Sequence, residues 1–141
     1  MTKHKNFSGQ DQIFEKLINI VSDAIFVVDS QYKIVFYNKA FEELFHFNGS
    51  IDEDIVFGEA LGCRYSKEGA FSCGNSDYCE HCLIRKVIKK ALSNENLISN
   101  GNRVVREIRS QDTKELLHLE FNVNGFLWDN EHYAMLQMRN L

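Results

Sequence analysis

The residue pattern predicts an α+β domain: a five-stranded antiparallel sheet with helices on one face, preceded by an amphipathic helix. Two β-rich runs, AIFVVD (24–29) and KIVFYN (33–38), lie close enough to form a hairpin. The stretch CLIRKVIKKALS (82–93) repeats apolar residues at helical spacing. The last third alternates apolar and polar residues, as a half-exposed antiparallel strand does. Strands cannot bury a face alone, so the helices must cover one side of the sheet.

Residues 1–11 are polar and expected to be flexible, with one domain over 12–141. From Asp11 to Val21, residues Ile13, Phe14, Leu17, Ile18 and Val21 follow a helical period. Such a helix can pack on its own domain or offer a short seam to a second copy. After the hairpin, with its turn at Ser30-Gln31, Asn38 stands where an N-cap belongs, ahead of KAFEELFHF (39–47). Its side chain can accept from a backbone N–H of the first turn, and Phe41, Leu44 and Phe45 form the apolar face. Residues 48–62 read as a connection with weak helical character. Glycine, serine and asparagine in the loop that follows, 62–82, leave no room for a long regular element.

The helix from Cys82 presents Leu83, Ile84, Val87 and Ile88 inward, an aliphatic lining for an expected small apolar ligand. Strands are expected at 103–110, 114–126 and 132–140, with a turn at Asp129-Asn130-Glu131. Along the middle strand Leu117, Leu119, Phe121 and Val123 share one face, and His118, Glu120, Asn122 and Asn124 the other.

The chain has 141 residues, 44% of them hydrophobic and 26% charged, which suits one globular domain with a proper core. A net charge of −4 and no basic stripe interleaved with aromatics argue against nucleic acid as partner. Arg85, Lys86, Lys89 and Lys90 read as a solvated helix face. The first twelve residues contain no apolar core of a signal peptide, and no apolar run is long enough to span a bilayer. No membrane insertion is expected, and a cytoplasmic location is.

All four cysteines, Cys63, Cys73, Cys79 and Cys82, fall within twenty residues, spaced Cys-x9-Cys-x5-Cys-x2-Cys. In a reducing compartment such clusters bind metal or do thiol chemistry more often than they form structural disulfides. Four thiolates can close a tetrahedral zinc site or hold an iron–sulfur cluster, with Cys79 and Cys82 as the chelating pair and Gly62, Gly69 and Gly74 easing the return of the chain. His81 could substitute for one sulfur. The rival is a redox switch: Cys82 opens a helix with Arg85 and Lys86 close behind, a setting that favours a thiolate, and Cys79 could resolve it. Ordinary thiols with no special role are the third reading.

LINIVSDAIFVVDSQYKIVFYNKAFEELFHF (17–47) resembles the start of a PAS domain. The residues that carry the likeness are Asp29 closing a strand, Asn38 before a short helix, and Ala40-Phe41 within it. The long helix and three final strands complete the order, so the resemblance covers roughly residues 12–140. It implies a sensory or interaction module that commonly dimerises, here through the helix at 11–21, and an output domain of the histidine kinase or diguanylate cyclase class in the same regulator. GCRYS (62–66) lacks the surroundings of the flavin-photosensing motif. The sequence CEHC is not a haem attachment motif, and His81 and His118 are poorly set as axial ligands. Flavin and haem are therefore not expected.

The leading expectation is a sensory input module with a four-cysteine metal or redox site. The alternative is a non-sensing dimerisation or docking module whose cysteines hold a structural zinc or stay inert. No enzymatic activity is expected of this chain: histidines are scattered at 4, 46, 81, 118 and 132, with no nucleophile–base pair and no phosphate-binding glycine loop.

Overall fold

The computed structural model describes residues 11–47, 55–63, 82–110 and 113–141. The elements run in the order α1 (Asp11–Ile20), β1 (Ala24–Val28), β2 (Ile34–Tyr37), α2 (Lys39–Phe45), α3 (Phe57–Ala60), α4 (Leu83–Leu92), β3 (Ile98–Ser110), β4 (Thr113–Trp128) and β5 (Glu131–Asn140). The five strands form one antiparallel sheet in the order β2-β1-β5-β4-β3. The N-terminal hairpin is thus completed by the last strand, with Phe26 opposite Leu136. The expected architecture is the one observed, and β3 and β4 are longer than their sequence patterns indicated. The expected flexible N-terminus lies almost wholly outside the described residues.

Two tight turns explain the hairpins. Asp29 Oδ1 accepts from the backbone N–H of Gln31 (2.8 Å) and of Lys33 (3.1 Å), holding the β1–β2 turn. Asp129 and Asn130 take φ of 55° and 62°, the left-handed pair that joins β4 to β5 tightly. In β3 a register shift between Ser99 and Asn102 is absorbed by Gly101 at φ 72°, whose N–H donates to Asn122 Oδ1 at 2.8 Å.

The inner face of the sheet meets α2, α3 and α4. Alternation along each strand sends Phe26, Leu119, Phe121, Val123, Leu136 and Met138 to this side, all 1% exposed or less. Phe41 and Phe45 from α2, Phe57 from α3, and Ile84, Val87, Ile88 and Ala91 from α4 fill the space above. Phe41 lies 5.1 Å from Phe26, 5.0 Å from Phe45 and 5.6 Å from Tyr37, ring centre to ring centre. Burial, and then the Glu42 carboxylate, push the Tyr37 phenol above its usual range.

Gly125 shows how closely α4 sits. A Cβ there would lie 2.3 Å from the Asn94 carbonyl oxygen and 2.4 Å from that of Ala91. Only glycine lets the end of α4 rest on β4, and its N–H closes the contact by donating to the Leu97 carbonyl at 3.0 Å.

The helix α1 belongs to the other side. Ile18 packs with Val27, Phe36 and Tyr133 in a second, smaller cluster on the outer face, and the Phe14 ring lies 5.6 Å from that of Phe36. Ile13 (67% exposed), Leu17 (58%) and Ile20 (79%) point away from the domain. Both readings of this helix therefore have their own residues: one edge packs at home, and another is left open.

Candidate functional site

Of the four cysteines, Cys63 and Cys82 lie among the described residues, and both are free thiols, partly buried. Cys73, Cys79 and His81 lie outside the described residues. The two described cysteines are anchored to the same strand. Cys63 forms an isolated antiparallel bridge with Ile108 of β3, and its N–H donates to the Gly58 carbonyl at 2.9 Å. The chain reaches that position through Gly62 at φ 76°. Two residues along β3, Arg106 Nη2 donates to Cys82 Sγ at 2.9 Å.

Cys82 is also the N-cap of α4. Its sulfur accepts from the Arg85 N–H at 3.4 Å, the place an oxygen takes in an ordinary cap. A sulfur between a guanidinium and the free N–H groups of a helix start sits in a positive field. Two N–H donors to one sulfur are what an outer shell around a metal-bound cysteine provides. Among the described residues no three metal-ligating side chains come together, so any four-thiolate site draws its remaining ligands from outside them.

Arg106 was not singled out by sequence reasoning, although its signal was present. In RVVREIRS the inward phase of the strand is Val104, Arg106, Ile108, and an arginine in an inward position needs a partner. The basic residues of α4 differ from the expected solvated face in one member. Lys86, Lys89 and Lys90 are exposed, and Lys89 and Lys90 occupy the last turn, where cations suit the helix dipole. Arg85 instead lies over the Tyr32 ring at 4.2 Å and near Phe57 at 5.7 Å. It ties the start of α4 to α3 and the β1–β2 turn.

Of the expected ligand-lining residues, Ile84, Val87 and Ile88 are buried in the core beneath α4, and Leu83 packs against its edge. His118 is on the exposed face of β4, as its phase requires.

Asn38 does more than cap. Its Oδ1 accepts from the N–H of Phe41 (3.0 Å) and of Ile25 (2.9 Å), while Nδ2 donates to the carbonyls of Ile18 (2.9 Å) and Asp23 (3.0 Å). One fully buried amide thereby joins the end of α1, the entry to β1 and the start of α2. Asn19 Oδ1 adds a second tie by accepting from the Lys39 N–H at 2.8 Å.

Residues 12–73 match the family described as PAS domain. No curated protein matches the sequence. Among solved structures, the PAS domain of nitrogen regulation protein NR(II) from Vibrio parahaemolyticus is 16% identical, with a TM-score of 0.59 over 92% of this chain and 98% of that one. The PAS domain of a protein from Colwellia psychrerythraea is 19% identical, with a TM-score of 0.58 over 92% of this chain and 95% of that one. The PAS domain of BvgS from Bordetella pertussis is 12% identical, with a TM-score of 0.57 over 95% of this chain and 88% of that one. At these identities the likeness is one of fold. No helix among the described residues is long and apolar enough to cross a membrane.

Proposed function

From the PAS match over residues 12–73 and the PAS-like fold, we propose that the chain serves as the sensory input module of a larger signalling protein, of the class that carries a histidine kinase or diguanylate cyclase output. The chain itself performs no catalysis in this reading; activity belongs to the output domain. The observation that carries the sensory part is the Arg106–Cys82 contact, at 2.9 Å. It couples the N-cap of α4 directly to an edge strand of the sheet. Cys63, Cys73, Cys79 and Cys82 together hold zinc or an iron–sulfur cluster, with Arg106 as an outer donor to one sulfur. A change in the charge or ligation of Cys82 alters its attraction to Arg106, and β3 shifts relative to α4. Such a change signals only to the extent that the two states differ in affinity for the effector.

Anaerobic purification followed by metal and sulfide analysis and a visible spectrum tests this. About one zinc per chain without visible bands supports a structural four-thiolate site. Iron with sulfide and an air-bleached band supports a cluster-based redox sensor. Absence of both metals overturns the metal reading and leaves thiol switching. The two roles then separate by replacing all four cysteines with serine: a folded but signal-blind regulator supports sensing, whereas loss of folding supports a staple.

The second reading, a dimerisation module, is favoured by the open stripe of α1. Ile13, Leu17 and Ile20 expose contiguous apolar surface that a second copy would cover. Sedimentation of the wild type as a dimer and of Leu17→Glu as a monomer supports it; a monomeric wild type overturns it.

A further inference from the structure

The outer face of the sheet changes character along its length. At one end it is polar. Glu120 accepts from Arg139 Nε at 2.9 Å and again from its Nη2, and Arg103 reaches the other carboxylate oxygen at 3.4 Å. At the other end the same strand phases carry rings. Phe126 and Trp128 continue the outward phase of β4, and Tyr133 stands opposite Phe126 on β5, the two rings stacked at 5.6 Å. The helix α1 crosses this end. Between helix and sheet lies a cavity of about 300 Å³, with Phe14 on the helix side and Val35, Phe36, Trp128, Tyr133 and Met135 among its sheet-side walls.

We propose that this cavity is a binding site for a small, neutral, aromatic molecule. The site stands on the cavity's own geometry; its role as an effector site rests on the sensory reading above. The volume lies at the lower end of the range of small-molecule sites. Among the described residues the walls carry no carboxylate, amine or guanidinium, so a charged ligand would find no partner among them. The ring faces of Phe36, Trp128 and Tyr133 favour offset or edge contact with another ring. Phe14 of the chain's own α1 closes one side of the space, which leaves room for a small molecule against the rings but not for a partner helix lying flat on the sheet. A second copy would meet Ile13, Leu17 and Ile20 on the far side of α1, and would leave the cavity beneath it untouched.

The same geometry links occupancy to movement. The C-terminal end of α1 is held through the Ile18 carbonyl and the Asn19 side chain, whereas Phe14 lies a turn earlier, over the cavity. An occupant that pushes on Phe14 turns α1 about its held end, and the exposed stripe moves with it.

Trp128 is the single tryptophan of the chain and forms part of the wall, so its emission reports occupancy. The probe is N-phenyl-1-naphthylamine, neutral with a naphthyl and a phenyl group, titrated against the 141-residue chain with its sulfonated analogue, 8-anilino-1-naphthalenesulfonate, alongside. The expected result is saturable binding of one probe per chain with quenching of Trp128. Affinity should fall at least about tenfold for the sulfonate. A loss of the same size is expected for Val35→Phe, which fills the cavity. If Val35→Phe does not fold, Leu127→Phe at the exposed rim takes its place. Non-saturable binding, equal affinity of a folded filled variant, equal affinity for the sulfonate, or one probe per two chains overturns the site. Saturable binding with unchanged amide exchange in α1 overturns the effector role while the binding site stands. Loss of the cysteine-dependent signal, by contrast, leaves this titration unaffected.

Discussion

The two faces of the sheet are built on opposite principles. The inner face is packed with large rings and aliphatic side chains, and Phe26, Phe41, Leu119 and Leu136 have no measurable exposure. The outer face pairs an ion cluster around Glu120 at one end with a ring-lined cavity beside a single helix at the other. Close packing makes the inner face costly to alter and slow to yield. The outer face is held by fewer contacts, and elements held that way are the ones that open and move at low free-energy cost. Stability is thus concentrated on one side of the sheet, and the looser packing on the other.

That contrast breaks most sharply with phenylalanine. Phe41→Ala on the inner face is expected to cost about 3–5 kcal/mol, the range for large-to-small core changes. Phe14→Ala on α1, where the ring is 37% exposed, should cost only about 1 kcal/mol. Urea unfolding of both variants checks this, and equal losses would mean that the outer face is as load-sharing as the core. Asn38→Ala should cost about 3 kcal/mol, because it strips partners from Ile25, Ile18 and Asp23 together. Its amide exchange should also rise in α1 before the core, since the tie to Ile18 leads there. Gly125→Ala follows at about 2–3 kcal/mol, since a methyl group would drive α4 off β4; a thermal midpoint equal to wild type would show that α4 can slide.

The smallest effect belongs to the polar end of the outer face. The hydrogen bond from Arg139, with the charges of Arg139 and Arg103, holds the Glu120 carboxyl below its usual range. A carboxylate lowered on folding adds stability that is complete above its unfolded value, about 4.3, and disappears as pH falls through the lower folded value. Wild type should therefore exceed Glu120→Gln slightly in stability near neutral pH, and the two should converge in acid. Added salt should shrink the difference, because the pair is solvent-screened. A gap that persists in strong acid would mean that Glu120 acts through packing instead.

Much of this was written locally. The hairpin at 24–37 follows from β-branched runs around an Asp29 turn, and α4 from aliphatic spacing at 84, 87, 88 and 91. The alternation over Leu117–Val123 fixed which side of β4 faces the helices. Asn38 was recognised as a cap because capping involves a neighbour three residues away. Its ties to Ile18 and Asp23, twenty and fifteen residues distant, depend on where α1 comes to rest.

Periodicity and turn chemistry depend on near neighbours, so sequence alone determined the α+β class, the element order, the inner face and the crowding of four cysteines. Three features needed the tertiary structure: the pairing of Arg106 with Cys82, the seat of Arg85 over Tyr32, and the cavity beneath α1. Each joins residues that only the packed fold brings together. Arg106 and Cys82 are 24 positions apart, and Phe14 and Trp128 lie at opposite ends of the chain. A residue's phase along a strand says which face it takes; what covers that face is decided by how the helices pack.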